Sequence, residues 1–382
     1  MKIVVNNGID NLEKYAEIFK GKRLGLITGP TGVNKKLVST IDILHEKYNL
    51  VALYSPEHGV RGDIQAGVKV DDYVDPSTGI PVYSLYGDKK KITKEMLSNI
   101  DLLVFDIQDV GVRFYTYLYT LTYAMESCNE NGKPIVVLDR INPLGGNIVQ
   151  GNMLELGFES FVGKYPIPTR YGLTIGEFAL YINSKFEINA DLTVVPCTGW
   201  SRDLYYDQTD LVWVQPSPNI PTIDSAFIYS GTCIFEGTNL SEGRGTTKPF
   251  EIIGAPWLNN KKLIEIMNLK NYQGVMFREV YFTPTFSKHV NILCSGIQIH
   301  VTDRDKFNPF KLSLDILLEI KAMHNREFDY ILPYASGAQP FINLITGSDK
   351  VMNHKGSLDE LFGKMNVNFY EYLIEKKLYK LY

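Results

Sequence analysis

The sequence predicts an α/β protein in which a doubly wound parallel sheet occupies the first 150 residues or so and an α+β region follows. Three observations carry this. Four short apolar runs, at 24–28, 50–54, 102–105 and 135–138, each stop abruptly at a cluster of polar, glycine and proline residues. The stretches between them have helical spacing, and the pattern changes after Pro143-Leu144-Gly145-Gly146 and Gly151. Short runs rich in Val, Ile and Leu, separated by helical segments, are what parallel strands buried on both faces look like.

In chain order, segment 9–19 carries Leu12, Tyr15, Ile18 and Phe19 at helical spacing and is expected to pack beside the first strand. Helices near 38–47, 93–99 and 115–130 complete a βαβ alternation. In the last of these, Tyr115 shares a face with Tyr119, and Leu118 with Leu121 and Met125, so most of its aromatics read as core facing the sheet. Beyond the break, Thr174-Ile175-Gly176-Glu177 ahead of Phe178, Ala179 and Ile182 is a capping box, which makes Glu177 a helix-start residue. A strand at 192–195 precedes a loop-rich stretch, 198–223, that holds Trp200, Trp213 and Pro216-Ser217-Pro218-Asn219-Ile220-Pro221. Strands at 274–282 and 295–301 and helices near 309–323 and 357–375 complete an α+β second domain. The expected division is 1–150 and 151–382.

Composition narrows the class. A chain of 382 residues exceeds one ordinary core, and 45% hydrophobic with 21% charged residues describes a soluble globular protein. Net charge is −4, with 39 Lys plus Arg against 43 Asp plus Glu and no long basic run, which argues against nucleic acid as a partner. Cys128, Cys197, Cys233 and Cys294 form no CxxC and read as reduced thiols. The amino terminus turns polar too soon for a signal peptide and no apolar stretch is long enough to span a bilayer, so a cytoplasmic protein without a membrane partner is expected. Oligomeric state is not legible.

In a parallel sheet every strand's carboxyl end opens on one edge, and ligands bind in the crevice beyond it. Glu57, His58, Asp106, Gln108, Asp109, Asp139 and Arg140 stand just past the four runs and are expected to converge there. Glu57, between Pro56 and His58-Gly59, is placed to give a proton to a leaving oxygen, work worth ~10²–10⁴ in rate. It could equally pair with Arg61 or cap the next helix. Asp106, Asp109 and Arg113 could form an ion-pair network closing the strand-to-helix turn, whereas Gln108 offers nothing such a turn requires. Asp139-Arg140 reads as a salt bridge or as a clamp for a carboxylate. In the second half, Glu242 and Arg244, flanked by Gly243 and Gly245, sit in a polar, glycine-rich string framed by apolar residues, as a backbone looped around a ligand would be.

Cofactor signatures are missing. No GxGxxG follows a strand, residues 29–36 lack the spacing of a phosphate loop, and there is no HExxH. Asp106 with Asp109 is too little for a metal site, and none is expected.

Together these strings resemble the DUF1343 family, associated with exo-β-N-acetylmuramidases of the NamZ type. The resemblance rests on Ser55-Pro56-Glu57-His58-Gly59; on Phe105-Asp106-Ile107-Gln108-Asp109-Val110-Gly111-Val112-Arg113-Phe114-Tyr115-Thr116-Tyr117; on Asp139-Arg140 with Asn142-Pro143; and on Phe161-Val162-Gly163. It continues through Pro216 to Pro221, Glu236-Gly237-Thr238-Asn239 and Ser241-Glu242-Gly243-Arg244-Gly245-Thr246-Thr247, in collinear order from about residue 8 to the carboxyl end. Gly29 and Ile141 depart from it, standing where relatives tend to have Asn and Pro.

The resemblance implies a Rossmann-like domain, a smaller α+β domain and a cleft between them. It implies hydrolysis of β-linked N-acetylmuramic acid from the non-reducing end of peptidoglycan fragments, so the expected partner is a small carbohydrate. Glu57 becomes the leading catalytic acid, with His58 and Asp106 beside it. Gln108, Asp109, Arg113, Asp139, Arg140, Asn142, Arg170, Asn219, Glu242 and Arg244 become substrate-binding candidates. Arg140, Arg170 and Arg244 would suit the substrate's lactyl carboxylate. Two other readings of the residues are a non-catalytic sugar-binding protein, with Trp200, Trp213 and Tyr115 stacking on sugar rings, and a nucleotide- or metal-dependent enzyme suggested by the fold alone.

Overall fold

The computed structural model describes residues 2–57, 59–62, 71–87, 90–333, 335, 337–365 and 368–382. Its first half is organised by a seven-stranded sheet. In chain order the strands are β1 (Arg23–Thr28), β2 (Asn49–Ser55), β3 (Tyr73–Val74), β4 (Pro81–Ser84), β5 (Leu102–Asp106) and β6 (Ile135–Leu138). A separate antiparallel pair follows, β7 (Gln150–Met153) and β8 (Pro168–Arg170), and then β9 (Leu192–Val195). The order across the large sheet is β3-β4-β2-β1-β5-β6-β9. All neighbours run parallel except β3, which is antiparallel to β4.

β9 lies beyond residue 150 yet pairs with β6, Ile135 opposite Leu192 through Leu138 opposite Val195. The sheet therefore extends past the division expected from the glycine-rich break. The reason is ordinary: the helix Ile175–Lys185 is one more crossover, and it delivers the next parallel strand to the sheet's open side. Thr174 caps that helix, accepting from the Glu177 amide while Glu177 accepts from the Thr174 amide.

The apolar runs are buried on both faces. Leu24, Leu26, Leu102, Val104, Val136 and Leu138 pack with Ile9, Leu12, Phe19, Ile41 and Leu44 on one side. Ile27, Leu103, Phe105, Ile135 and Val137 pack with Leu118, Leu121 and Met125 of the helix Tyr117–Glu130 on the other. The 9–19 segment is a 3₁₀ turn, Gly8–Tyr15, running into the short helix Ala16–Phe19.

The second half carries a smaller antiparallel sheet of β10 (Ile252–Ala255), β11 (Val275–Phe282) and β12 (Cys294–Val301), in the order β10-β12-β11. Ile253, Ala255, Ile297 and Ile299 on one face join the main core, which the helices Ile223–Thr232 and Pro309–Met323 complete. The helical pattern at 357–375 is two helices, Leu358–Met365 and Phe369–Glu375. The chain end then returns to the first half: the Leu381 amide donates to Glu177 (2.8 Å) and the Tyr382 hydroxyl to Asp139 (2.6 Å). All four cysteines are free and buried. Among the described residues no helix is long and apolar enough to cross a membrane.

Candidate active site

Pro56 stops β2, and the chain turns at once, the Gly59 amide donating to the Pro56 carbonyl with Gly59 at φ +81°, a conformation that favours glycine. The turn leaves Glu57 at the strand's carboxyl end, on a cavity of about 290 Å³. Opposite β2, the loop after β5 enters the helix Tyr117–Glu130 with Phe114, Tyr115 and Thr116 on the cavity wall. Thr116 Oγ1 donates to Glu57 Oε2 at 2.9 Å, and Tyr117 donates to the Pro216 carbonyl at 2.8 Å. The second half supplies Ser217, Asn219, Ile220, Tyr229, Glu236, Arg244 and Phe250.

On that side Glu236, in the 3₁₀ turn Cys233–Gly237, accepts from Arg244 Nε at 2.8 Å and from Nη2 on the same oxygen, Oε1. Arg244 also lies 3.4 Å from Glu242 and 5.1 Å from the centre of the Phe250 ring. Burial works against the Arg244 charge, but Glu236 and Glu242 outweigh it and raise the guanidinium above its usual value. Glu242 is buried behind Arg244, with its other oxygen 2.6 Å from Lys288 Nζ. Tyr115 and Tyr229, both on the cavity wall, meet edge to face at 6.1 Å. Burial raises both phenols, with Tyr117 and Glu57 adding at Tyr115, and Cys233 and Glu236 at Tyr229.

Of the lining's polar groups, Asn219 Nδ2 is buried and makes no hydrogen bond with any described residue, and the buried Tyr115 hydroxyl has only the Tyr117 hydroxyl beside it among the described residues. Buried donors without partners are costly, and a cavity that holds them is built to receive acceptors.

Of the residues singled out from sequence, Glu57, Tyr115, Asn219 and Arg244 line this cavity. His58 lies outside the described residues. Asp106 does not reach the cavity: fully buried, it accepts from Arg140 Nε (2.6 Å) and Nη2 (2.9 Å). Gln108 and Arg140 border a different, much smaller depression beside Thr31 and Lys35, where Gln108 Nε2 donates to the Asp109 and Ile141 carbonyls. Asp109 accepts from the Gly111 amide and the Tyr171 hydroxyl, and burial lifts its carboxyl to about 6. Asp139 is lifted to about 6 in the same way while accepting from Thr174, the Gly176 amide and Tyr382. Asn142 ties the Leu173 carbonyl and the Leu144 amide.

Arg113 and Arg170 are buried, with no ion pair to a carboxylate among the described residues. Arg113 Nη2 rests on the Ile345 and Thr346 carbonyls at the end of the helix Phe341–Thr346, and Arg170 donates to Gln150 and the Leu144 carbonyl. Burial lowers both guanidinium groups to about 10. Neither Trp200 nor Trp213 lines the cavity: Trp200 belongs to a separate cluster with Val5, Ile141 and Tyr206, and Trp213 packs against both that cluster and the main core, its Nε1 donating to the Ile220 carbonyl at 3.4 Å. Sequence reasoning passed over Glu236, Thr116, Tyr229 and Phe250. The Glu236-Gly237-Thr238-Asn239 string was the one signal that could have pointed to the first.

A strand-end glutamate and a second carboxylate from the other half of the chain, on one aromatic-walled cavity of sugar-ring size, define a candidate glycoside hydrolase. The sequence matches the family described as exo-beta-N-acetylmuramidase NamZ, its N-terminal part over residues 24–224 and its C-terminal part over 227–382. The chain belongs to this family. It is 55% identical over 330 residues, 86% of this chain and 80% of the other, to the peptidoglycan beta-N-acetylmuramidase NamZ of Bacillus subtilis strain 168. Two crystal structures of DUF1343 family proteins from Bacteroides fragilis NCTC 9343 superpose on it. One has TM-score 0.91, 38% identity and full coverage of both chains; the other has TM-score 0.78, 32% identity and 99% coverage of each.

Proposed function

We propose that this chain releases N-acetylmuramic acid from the non-reducing end of β-linked peptidoglycan fragments, with Glu57 as the general acid. The observation that carries the assignment of the acid is the Glu57 geometry: the carboxyl sits at a strand end on the cavity wall, and Thr116 fixes Oε2, leaving Oε1 without a hydrogen bond to any described residue. A carboxyl held in one orientation against an aromatic wall can hand its proton to the glycosidic oxygen as the C1–O bond breaks. Family membership supports the substrate class.

Asn219 and Tyr115 are the donors proposed for the acetamido and lactyl oxygens: both residues line the cavity, and neither donor is held by an acceptor in good geometry among the described residues. Of the three arginines considered for the lactyl carboxylate, only Arg244 reaches the cavity, and Glu236 and Glu242 already occupy it. Four free, buried cysteines support action in a reducing compartment, the cytoplasm, on fragments brought into the cell.

The test uses N-acetylmuramyl-β-1,4-N-acetylglucosamine, with release of free N-acetylmuramic acid followed by mass spectrometry. Wild-type protein is expected to release it and Glu57→Gln to bind the disaccharide without turnover. Ordinary turnover by Glu57→Gln would remove Glu57 from the mechanism, and binding without release by the wild type would make the chain a muropeptide-binding protein.

A further inference from the structure

We infer that Glu236 is the second carboxylate of the reaction, acting on the face of the sugar ring opposite the leaving group. The inference rests on the reading of Glu57 as the acid and goes on to name its partner. A glycosidase of the two-carboxylate kind needs an acid beside the glycosidic oxygen and a charged carboxylate across the ring, either to take a proton from the attacking water or to attack C1 itself. Four other carboxylates were expected near the site, Asp106, Asp109 and Asp139 at the strand ends and Glu242 in the glycine-rich string. None of the four lines the cavity: Asp106 is locked to Arg140, Asp109 to Tyr171, Asp139 to Thr174 and Tyr382, and Glu242 to Lys288.

Among the described residues, Glu57 and Glu236 are the two carboxylates that do line it, one from each half of the chain. They are held in the same manner. Thr116 fixes one oxygen of Glu57, and both Arg244 donors fall on Oε1 of Glu236. Among the described residues Glu236 Oε2 has only the Cys233 thiol, a weak donor at 3.5 Å. Burial, and then the Glu236 charge, holds that thiol well above its usual value, so it stays S–H. Arg244, with Glu242 behind it, thus orients Glu236 and leaves one oxygen for chemistry. Arg244 is a positioning residue in this arrangement, and Tyr115 and Tyr229, edge to face at 6.1 Å, line the same cavity.

The experiment uses a nitrophenyl β-N-acetylmuraminide, whose phenolate leaves without an acid. Glu236→Ala is expected to lose ~10²–10⁴ in kcat, and added azide to restore turnover. Azide nitrogen bonds to C1 as the C1–O bond breaks, and nitrophenolate departs with the electron pair, so no proton is required. The product should be the α-configured N-acetylmuramyl azide, identified by NMR, because only a carboxylate opposite the leaving group vacates that face. Glu236→Gln, which keeps an acceptor for Arg244 but not the charge, should melt close to wild type and show the same loss in kcat with little change in KM. Near-wild-type turnover by Glu236→Gln, or a folded Glu236→Ala that azide does not rescue, overturns the inference. A failure of the Glu57 reading shows separately, as disaccharide turnover by Glu57→Gln, since the nitrophenyl substrate bypasses the acid.

Discussion

Arg140 Nε lies 2.6 Å from Asp106 Oδ1 and its Nη2 2.9 Å from Asp106 Oδ2, a two-pronged ion pair with both side chains buried. It joins the ends of β5 and β6, and Arg140 Nη2 also donates to the Val33 carbonyl. Burial opposes the Arg140 charge, and Asp106 more than restores it. The rim predicted from the strand ends is therefore partly a seal.

Removing one partner of such a pair leaves the other charge buried and uncompensated. Arg140→Met is expected to destabilise the fold by about 3–5 kcal/mol, measured by urea unfolding, while the protein that remains folded keeps its KM. A stable Arg140→Met that no longer binds the disaccharide would place Arg140 in the substrate site instead.

Asp109 gives a pH prediction with a definite sign. Its carboxyl is raised from 3.8 to about 6, chiefly by burial and against the hydrogen bonds from Tyr171 and Gly111. A carboxyl raised in the folded state holds its proton more tightly there than in the unfolded chain. Its contribution is thus fully present below about pH 4 and lost as pH rises through about 6. The span corresponds to about 3 kcal/mol. Asp109→Asn keeps an acceptor for the Gly111 amide and never ionises. Relative to wild type it should gain stability steadily between pH 4 and 6 and hold that gain above, followed by denaturant midpoints at each pH. A constant difference across this range would mean that Asp109 is not burdened by its charge.

The strands were legible because their signal is local: Leu102 to Val104 and Ile135 to Leu138 are apolar at every position, which only burial on both faces explains. β9 was legible as a strand, but its partner was not, since pairing with β6 depends on a crossover and not on anything in residues 192–195. Within the site, the strand-end rule found Glu57 yet could not tell an exposed strand end from one closed by a neighbour. Asp106 and Asp139 follow strands as Glu57 does; Arg140, Thr174 and Tyr382 cover them from 34 to 243 residues away in sequence. Glu236 was hidden for the opposite reason. It sits in a 3₁₀ turn rather than at a strand end, and its value comes from Arg244 and from a wall, Tyr115 and Phe114, contributed by the other half of the chain.

Asn219 separates binding from stability more cleanly than any other residue of the cavity. Its backbone amide donates to Ser217 Oγ at 3.3 Å, but its side-chain Nδ2 has no partner among the described residues although the residue is 5% exposed. A buried amide donor without an acceptor is a liability to the empty protein, worth about 1–3 kcal/mol, and an asset once a substrate oxygen meets it. Asn219→Ala is therefore expected to melt no lower than wild type, because the substitution deletes an unsatisfied group along with a few van der Waals contacts. The same change should raise KM for the disaccharide roughly 10-fold, the equivalent of one hydrogen bond of about 1.4 kcal/mol, with kcat altered far less. Calorimetric melting and initial rates on one preparation read both quantities. A drop in melting temperature with KM unchanged would show that Nδ2 serves the fold, and would leave Tyr115 as the donor on which recognition of the acetamido or lactyl oxygens depends.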